Sequence, residues 1–380
     1  MAKRNKLNPE RSRSKSLRLA SAAGIVAIAI GASLVAGASA ATSDGKFHVR
    51  AVYNETPSIN GIFPKFRPGG TATPTPQPSA PATETPVTDP VAPALVQEGC
   101  FTISETSFIT VHRYAPSLAG CSTNMVVPAT LRGKPVEVIA ERAFNNLPIT
   151  SAVLPESVRV IEKEAFMTTR SLKSVNIPSK ITEINDQVFF STDSLTSITI
   201  PDGVVSVGFA SFSHSGITSL RLPAGLKTIG DGGFAYGKFK SVVIPDSVTA
   251  MGVGAFSAGD LTAVTLSKSL TSIASSTFDG NDISSVEIPE GVKFIGRQAF
   301  IHNQLTSVEL PSTLETIDTS AFHLNKLTSV NVPDSVKTIG FQAFYNNPLT
   351  SVSIKRTGVS VGDEAFASVY GNTITWNYRD

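Results

Sequence analysis

Two glutamates occupy the same point of two nearly identical segments, and paired carboxylates can perform acid–base and nucleophilic chemistry. Glu287 lies in SSVEIP, and Glu309 lies in TSVELP further along the chain. If the two segments are adjacent strands, the carboxylates are about 5 Å apart, as in retaining glycosidases. Such catalysis requires a cleft, which a flat repeat surface does not provide. We therefore keep a glycosidase only as a minor alternative.

Histidine and cysteine residues suggest no further chemistry. His302 and His323 lie in consecutive segments but at different positions, which favours exposed loops over a zinc site. The sequence contains no GxSxG motif, phosphate-binding loop or dinucleotide fingerprint. It therefore predicts a protein that is not an enzyme and that carries no cofactor or metal. The five histidines are His48, His112, His214, His302 and His323.

The charge of the chain argues against nucleic-acid binding. The net charge is +2, from 32 Lys and Arg against 30 Asp and Glu. Residues 1–40 hold seven of the basic residues and only Glu10 among the acidic ones. The remainder has 25 basic and 29 acidic residues and a net charge of −4. It lacks the concentrated basic patch that nucleic-acid-binding proteins carry.

Residues 1–40 are typical of a signal peptide. A basic stretch precedes the apolar run LASAAGIVAIAIGASLVAG, and Ala38-Ser39-Ala40 fits a small-residue cleavage site. We predict cleavage after Ala40 and a secreted or cell-surface protein. The alternative is an uncleaved membrane anchor through residues 19–37, which is near the lower length limit for spanning a bilayer.

The next two segments precede the folded region. Residues 41–70 match no pattern that we can interpret. Residues 71–94 contain seven Pro and six Thr, and so predict an extended, polyproline-like linker.

Phenylalanine recurs at a nearly constant interval from residue 144 onward. The steps between successive members are 22 residues, with two steps of 23. A period of this length is typical of leucine-rich-repeat solenoids, in which stacked turns share one core. We therefore predict that these side chains form a continuous structural spine. They are Phe144, Phe166, Phe189, Phe212, Phe234, Phe256, Phe278, Phe300, Phe322, Phe344 and Phe366.

Each repeat reads roughly LTSVxIPxxVxxIGxxAFxxNx. The alternation of Val and Ile with polar residues predicts a strand with one buried face. The Pro that follows removes a hydrogen-bond donor and turns the chain out of the sheet. The Gly before the Phe segment, as at Gly296, predicts a backbone conformation that side chains tolerate poorly. The Asn after the Phe, as at Asn303, shares its position with Gly259 and predicts a left-handed turn.

Both ends of a solenoid need a cap. The only two cysteines, Cys100 and Cys121, flank two strand-like runs, which predicts a disulfide-closed cap over residues 95–135. The repeats then span 136–366. Residues 367–380 contain the sole Trp, Trp376, and predict a terminal strand as the second cap.

One outward position of the strand varies freely, whereas the rest of the repeat is nearly constant. Solenoids bind partners along such extended surfaces, although an ordinary solvated sheet face is the simpler interpretation. The candidate binding residues at this position are Thr199, Arg221, Thr265, Glu287, Glu309 and Asn331.

With strand, Pro, Gly, Ala-Phe and period in place, residues 126–366 resemble the bacterial BspA-type leucine-rich-repeat proteins. The resemblance implies an α/β repeat solenoid, a right-handed coil of about eleven turns. Several members resemble surface-exposed or secreted adhesins. The resemblance therefore implies a protein-binding or adhesion module whose partner is a protein or a surface glycan. A carbohydrate-binding or cell-wall-binding module is the alternative.

Overall fold

Two rows of short parallel strands, one on each side of a shared core, build a solenoid of about eleven turns. The computed structural model describes residues 93–369 and 371–380. The predicted signal peptide, residues 41–70 and all of the linker except its last two residues lie outside the described residues, so those boundaries stay predictions. The strands are β1 (Leu95–Glu98), β2 (Phe101–Glu105), β3 (Ile109–Tyr114), β4 (Asn124–Val126), β5 (Thr130–Leu131), β6 (Lys134–Ile139), β7 (Ser151–Val153), β8 (Val160–Ile161), β9 (Ser174–Val175), β10 (Glu183–Ile184), β11 (Ser206–Val207), β12 (Thr228–Ile229), β13 (Ser241–Val243), β14 (Ala250–Met251), β15 (Ala263–Thr265), β16 (Ser272–Ile273), β17 (Phe294–Ile295), β18 (Thr316–Ile317), β19 (Ser329–Asn331), β20 (Thr338–Ile339), β21 (Ser351–Lys355), β22 (Ser360–Val361) and β23 (Thr375–Arg379).

The first row contains the SVxI strands that the alternating pattern predicts. Its strands pair in parallel and in register, so that Val242 lies beside Val264 and Val330 lies beside Val352. Val242, Val330 and Val352 are buried. The second row consists of two-residue strands, in which Ile295 pairs with Ile317 and points into the same core.

The described residues contain no helix, so the expectation of an α/β solenoid is wrong. The segment around each Phe is a series of turns in which the residues two before and two after the Phe have positive φ, as at Gln298 (58°) and His302 (55°). Left-handed residues cannot continue a right-handed helix. The N–H group of Phe300 donates to the carbonyl of Ala321 in the next turn at 2.8 Å. These segments are thus held by bonds between turns.

The eleven phenylalanines form one continuous stack inside the solenoid. Successive ring centroids are 4.9 to 5.7 Å apart, and all of the rings are buried. From Phe166 onward the neighbouring rings are nearly parallel, as with Phe212 and Phe234 at 2°. Because each ring fills the space between two others, the spine joins the turns into one core.

The glycines before the Phe segments serve close packing between turns, which corrects the prediction of an unusual backbone conformation. None of Gly208, Gly230, Gly252, Gly296, Gly340 and Gly362 has positive φ. A Cβ atom on Gly296 would lie 2.7 Å from the Ser275 nitrogen and 2.8 Å from the Ala274 carbonyl carbon. Since both contacts are backbone atoms of the preceding turn, no side chain can move to make room.

We expect Gly296→Ala to destabilise the protein by about 1–3 kcal/mol, the usual cost of overpacking. The matched control is Gly203→Ala, because a Cβ there would lie 3.6 Å from its nearest contact, an ordinary distance. Chemical denaturation of the two variants checks the prediction. Equal stability of both variants would contradict the close-packing explanation.

The asparagines after the Phe segments are also explained by contacts between turns. Positive φ falls one residue earlier, at Gly280 and His302, so the prediction of a left-handed turn at the asparagines is wrong. Asn303 is buried, and its side-chain oxygen accepts the N–H of Ile283 at 3.1 Å. Its amide nitrogen donates to the carbonyl of Phe278 at 2.8 Å. The column Asn281, Asn303, Asn325 and Asn347 is therefore a hydrogen-bonded ladder inside the solenoid.

The N-terminal cap is an antiparallel addition to the second row. Strands β1, β2 and β3 pair antiparallel in order, and β3 then joins β6 in parallel. The predicted disulfide between Cys100 and Cys121 is confirmed. Tyr114 packs on Phe101 with ring centroids 5.1 Å apart, and its hydroxyl donates to the carbonyl of Ser122 at 2.6 Å. These contacts cover the first turn of the core.

At the other end, β23 pairs in parallel with β21 and closes the first row. Trp376 meets Phe366, the last ring of the spine, edge-on at 5.4 Å. Trp376 also stacks on Tyr378, and both remain partly exposed. In the part of the chain that the structure describes, no helix is long and apolar enough to cross a membrane.

Candidate binding surfaces

The variable outward position becomes a single line of side chains along the first row, all of them exposed except the half-buried Ser353. We call it the variable strip. Its apolar members Val153 and Val243 are 51% and 65% exposed, which places apolar contact area beside charged and polar groups. The strip consists of Val153, Asn176, Thr199, Arg221, Val243, Thr265, Glu287, Glu309, Asn331 and Ser353.

The structure brings Glu287 and Glu309 together as neighbours across a parallel bridge. Both side chains are exposed, and neither forms an ion pair with any residue that the structure describes. Like charges directly opposite each other on neighbouring strands repel. The pair therefore presents uncompensated negative charge within the strip.

The other predicted strip residues differ in whether their side chains already bond to other residues of this chain. Arg221 Nη1 lies 3.1 Å from Asp202 Oδ1, and both side chains are largely exposed. Such a pair contributes about 0–1 kcal/mol and remains available to a partner. Thr199 and Thr265 are exposed. Asn331, in contrast, accepts a hydrogen bond from Arg379 of the terminal strand, so the cap occupies that end of the strip.

His302 and His323 lie closer together than their sequence positions indicate. Their ring centroids are 6.4 Å apart, and His302 lies 3.4 Å from Asp279. Burial, followed by the charge of His302, lowers the pKa of His323 to about 4. His323 is therefore neutral at physiological pH and packs against Tyr345 at 5.1 Å. Across residues 93–369 and 371–380, no group of three His, Cys, Asp or Glu is placed to hold a metal.

A cleft near the N-terminal cap escaped the sequence analysis. It has a volume of about 650 Å³ and lies where β3 meets the first Phe-bearing segment. Arg113, Arg142, Glu164 and Met167 contribute to its wall. These residues are far apart in the sequence and belong to no motif, so no sequence signal could have grouped them.

The repeats match the family described as "BspA type Leucine rich repeat region", over residues 137–262 and 249–371. The two matched segments together cover more than half of the 380-residue chain. The chain belongs to the BspA-type leucine-rich-repeat family. The resemblance predicted from the Ala-Phe repeat is thereby confirmed.

Two solved structures of other proteins share the solenoid fold. A leucine-rich-repeat protein from Bacteroides ovatus ATCC 8483 is 23% identical, with a TM-score of 0.55 over 70% of this chain and 67% of that chain. The pneumococcal vaccine antigen PcpA is 20% identical, with a TM-score of 0.52 over 76% of this chain and 88% of that chain. These likenesses show the fold alone. No curated protein matches the sequence.

Proposed function

We propose that this BspA-type protein is an exported, non-enzymatic module that binds a protein partner through the variable strip, as an adhesin or receptor does. The observation that supports this proposal is the Glu287–Glu309 pair. These are two exposed carboxylates on neighbouring strands that no described cation neutralises. A Lys or Arg of a partner protein relieves their repulsion on binding. The exposed Val243 supplies apolar contact area on the same strip.

The glycosidase alternative is weaker on geometric grounds. A glycosidase places its two carboxylates around a sugar held in a cleft. Glu287 and Glu309 lie on the outward face of the strands, and neither contributes to the cleft near the cap. A module that binds carbohydrate or cell wall remains the second candidate, because a flat strip with exposed Thr199 and Thr265 can also contact a polysaccharide.

The test of binding uses the doubly substituted Glu287→Gln/Glu309→Gln protein. Immobilised extracellular proteins and polysaccharides are offered to the wild type and to this variant, and retention is measured at several salt concentrations. We expect saturable retention on a protein, weakened about tenfold or more by the substitutions and by high salt. Retention only on polysaccharides would favour the second candidate.

The matched control variant is Glu183→Gln/Asp363→Asn, which removes two exposed carboxylates away from the strip. It carries the same change in net charge as the test variant. Equal loss of binding by both variants would show that net charge, and not the strip, controls binding.

Export is tested separately by intact mass and fractionation of the protein made in a related host. We expect a chain that begins at Ala41, found in the medium or at the cell surface, with the hydrogens of its two cysteines lost to the disulfide. A full-length chain in the membrane fraction would favour the anchor through residues 19–37. An intracellular chain would contradict the proposal of export.

A further inference from the structure

The Phe-bearing segments are joined by a ladder of hydrogen bonds that runs in one direction. The N–H groups of the Phe and of the residues two before and two after it all donate to the next turn. In the first turn these donors are Arg142, Phe144 and Asn146, which donate at 3.3, 2.8 and 2.9 Å. Every accepting carbonyl of the ladder therefore points back toward the preceding turn.

The first turn of this ladder has no preceding turn to pair with. In every later turn, the three corresponding carbonyls accept a hydrogen bond. The carbonyls of Glu141, Ala143 and Asn145 receive none from residues 93–369 and 371–380. Of these three residues Ala143 is 2% exposed, Asn145 is half-buried and Glu141 is exposed. Carbonyls without a protein partner at the end of a hydrogen-bonded ladder favour a ligand that brings hydrogen-bond donors.

The open edge overlaps the cleft of about 650 Å³, a volume typical of ligand sites, with Glu141 outside the residues that line the cleft. Ala143 and Asn145 line this cleft together with Arg113. Leu147 and Met167 add apolar side chains to the wall. The cleft therefore combines backbone acceptors with an apolar wall.

The two arginines of the cleft differ in whether a carboxylate of the protein neutralises their charge. Arg142 Nε lies 2.5 Å from a Glu164 carboxylate oxygen, so its charge is satisfied. Arg113 is exposed and forms no ion pair or side-chain hydrogen bond with any described residue. The guanidinium of Arg113 is thus a free cation, able to hold a carboxylate.

We propose that this cleft binds a short acidic peptide segment of a partner protein. The peptide's backbone N–H groups pair with the open carbonyls of the first turn, and one of its carboxylates pairs with Arg113. A metal cation is disfavoured by the free charge of Arg113, and a simple anion leaves the carbonyls unpaired. A peptide fits both features because the ladder already pairs backbone with backbone, as in recognition by strand addition. The proposal is independent of the variable strip.

The test uses the full exported chain and the blocked peptide acetyl-Gly-Glu-Gly-Leu-Gly-amide as the probe. Its glycines occupy the three donor positions and permit the positive φ values that residues two before and two after the Phe adopt in the ladder. We expect saturable binding, with a dissociation constant of about 1 mM or lower, in a titration followed by the peptide's NMR signals. We expect Arg113→Gln to weaken binding about tenfold. The absence of saturable binding by the wild type up to about 10 mM would overturn the proposal.

Three controls separate the parts of the proposal. Arg297→Gln removes an exposed arginine in a distant turn and should leave affinity unchanged. Equal weakening by both arginine variants would overturn the assignment to the cleft. On the wild-type protein, the Gln analogue of the peptide tests the carboxylate, and an analogue with N-methylated glycines tests the backbone donors. If either analogue binds as well as the probe, the proposed contacts are wrong, whether or not Arg113→Gln folds.

Because the cleft and the strip are separate surfaces, a negative result for one proposal does not count against the other. The Glu287→Gln/Glu309→Gln protein should bind the acidic peptide as the wild type does. If it loses that binding, the peptide occupies the strip and not the cleft.

Discussion

The Phe256→Ala protein should unfold at a clearly lower temperature than the wild type, with a loss of about 3–5 kcal/mol in the free energy of unfolding. Phe256 is 1% exposed and lies 5.5 Å from Phe234 and 5.7 Å from Phe278 in the stack. It also contacts Phe239 edge-on at 6.4 Å. The substitution opens a cavity in the middle of the spine, where each turn depends on its neighbours. Calorimetry and chemical denaturation measure the loss.

The matched control is Phe209→Ala, because Phe209 is 48% exposed and lies outside the stack. We expect this variant to change stability by about 0.5 kcal/mol or less, as surface substitutions usually do. An unchanged melting temperature for Phe256→Ala would contradict the spine as the main core. Equal losses of stability in Phe256→Ala and Phe209→Ala would contradict it as well.

The second large effect is expected from Asn303→Ala, at about 3 kcal/mol. Asn303 accepts from the N–H of Ile283 and donates to the carbonyls of Phe278, Phe300 and Ile301, at 2.8 to 3.2 Å. Alanine leaves the buried N–H of Ile283 without a partner and removes one donor from each of the three carbonyls, which keep those of Asn281, Asn325 and Gly280, so the side-chain link between the turns is lost. Chemical denaturation measures the loss, and hydrogen exchange of the Ile283 amide locates it.

Gln304→Ala is the control for the asparagine ladder. Gln304 is an exposed carboxamide directly beside Asn303, and its removal should have little effect. If Asn303→Ala is as stable as this control, the ladder does not contribute to stability and the interpretation of its hydrogen bonds is wrong.

Some features of the fold could be predicted because they depend on a pattern within one repeat. The alternation in TSVEL places Val308 toward the core and Glu309 outward. The constant length of the repeat aligns each turn with the next. From this the spine, the outward strip and the pairing of Glu287 with Glu309 could all be anticipated. The disulfide followed from an even cysteine count in a chain with a predicted export signal.

Other features depend on contacts between turns and therefore could not be predicted. Asn303 and Gly259 share a position, which locally indicates positive φ, yet the asparagine is there to bond the neighbouring turns. Gly296 gave the same local signal, although the cause is the backbone of the preceding turn. Gln298 has no local preference for the left-handed conformation that it adopts. Its N–H instead bonds the carbonyl of Thr319 in the next turn.

The sequence by itself determined the family, the period, the buried phenylalanines and the position of the variable strip, because each follows from residue types repeated at a fixed interval. The tertiary structure alone decided that the Phe segments are turns and not helices, since bonds to the adjacent turn select their backbone conformation. It alone also joined Arg113 to the open carbonyl edge of the first turn. The carbonyls of this edge are unpaired because no turn precedes the first one in the stack. Only the folded chain shows that Arg113 lines the cleft beside them.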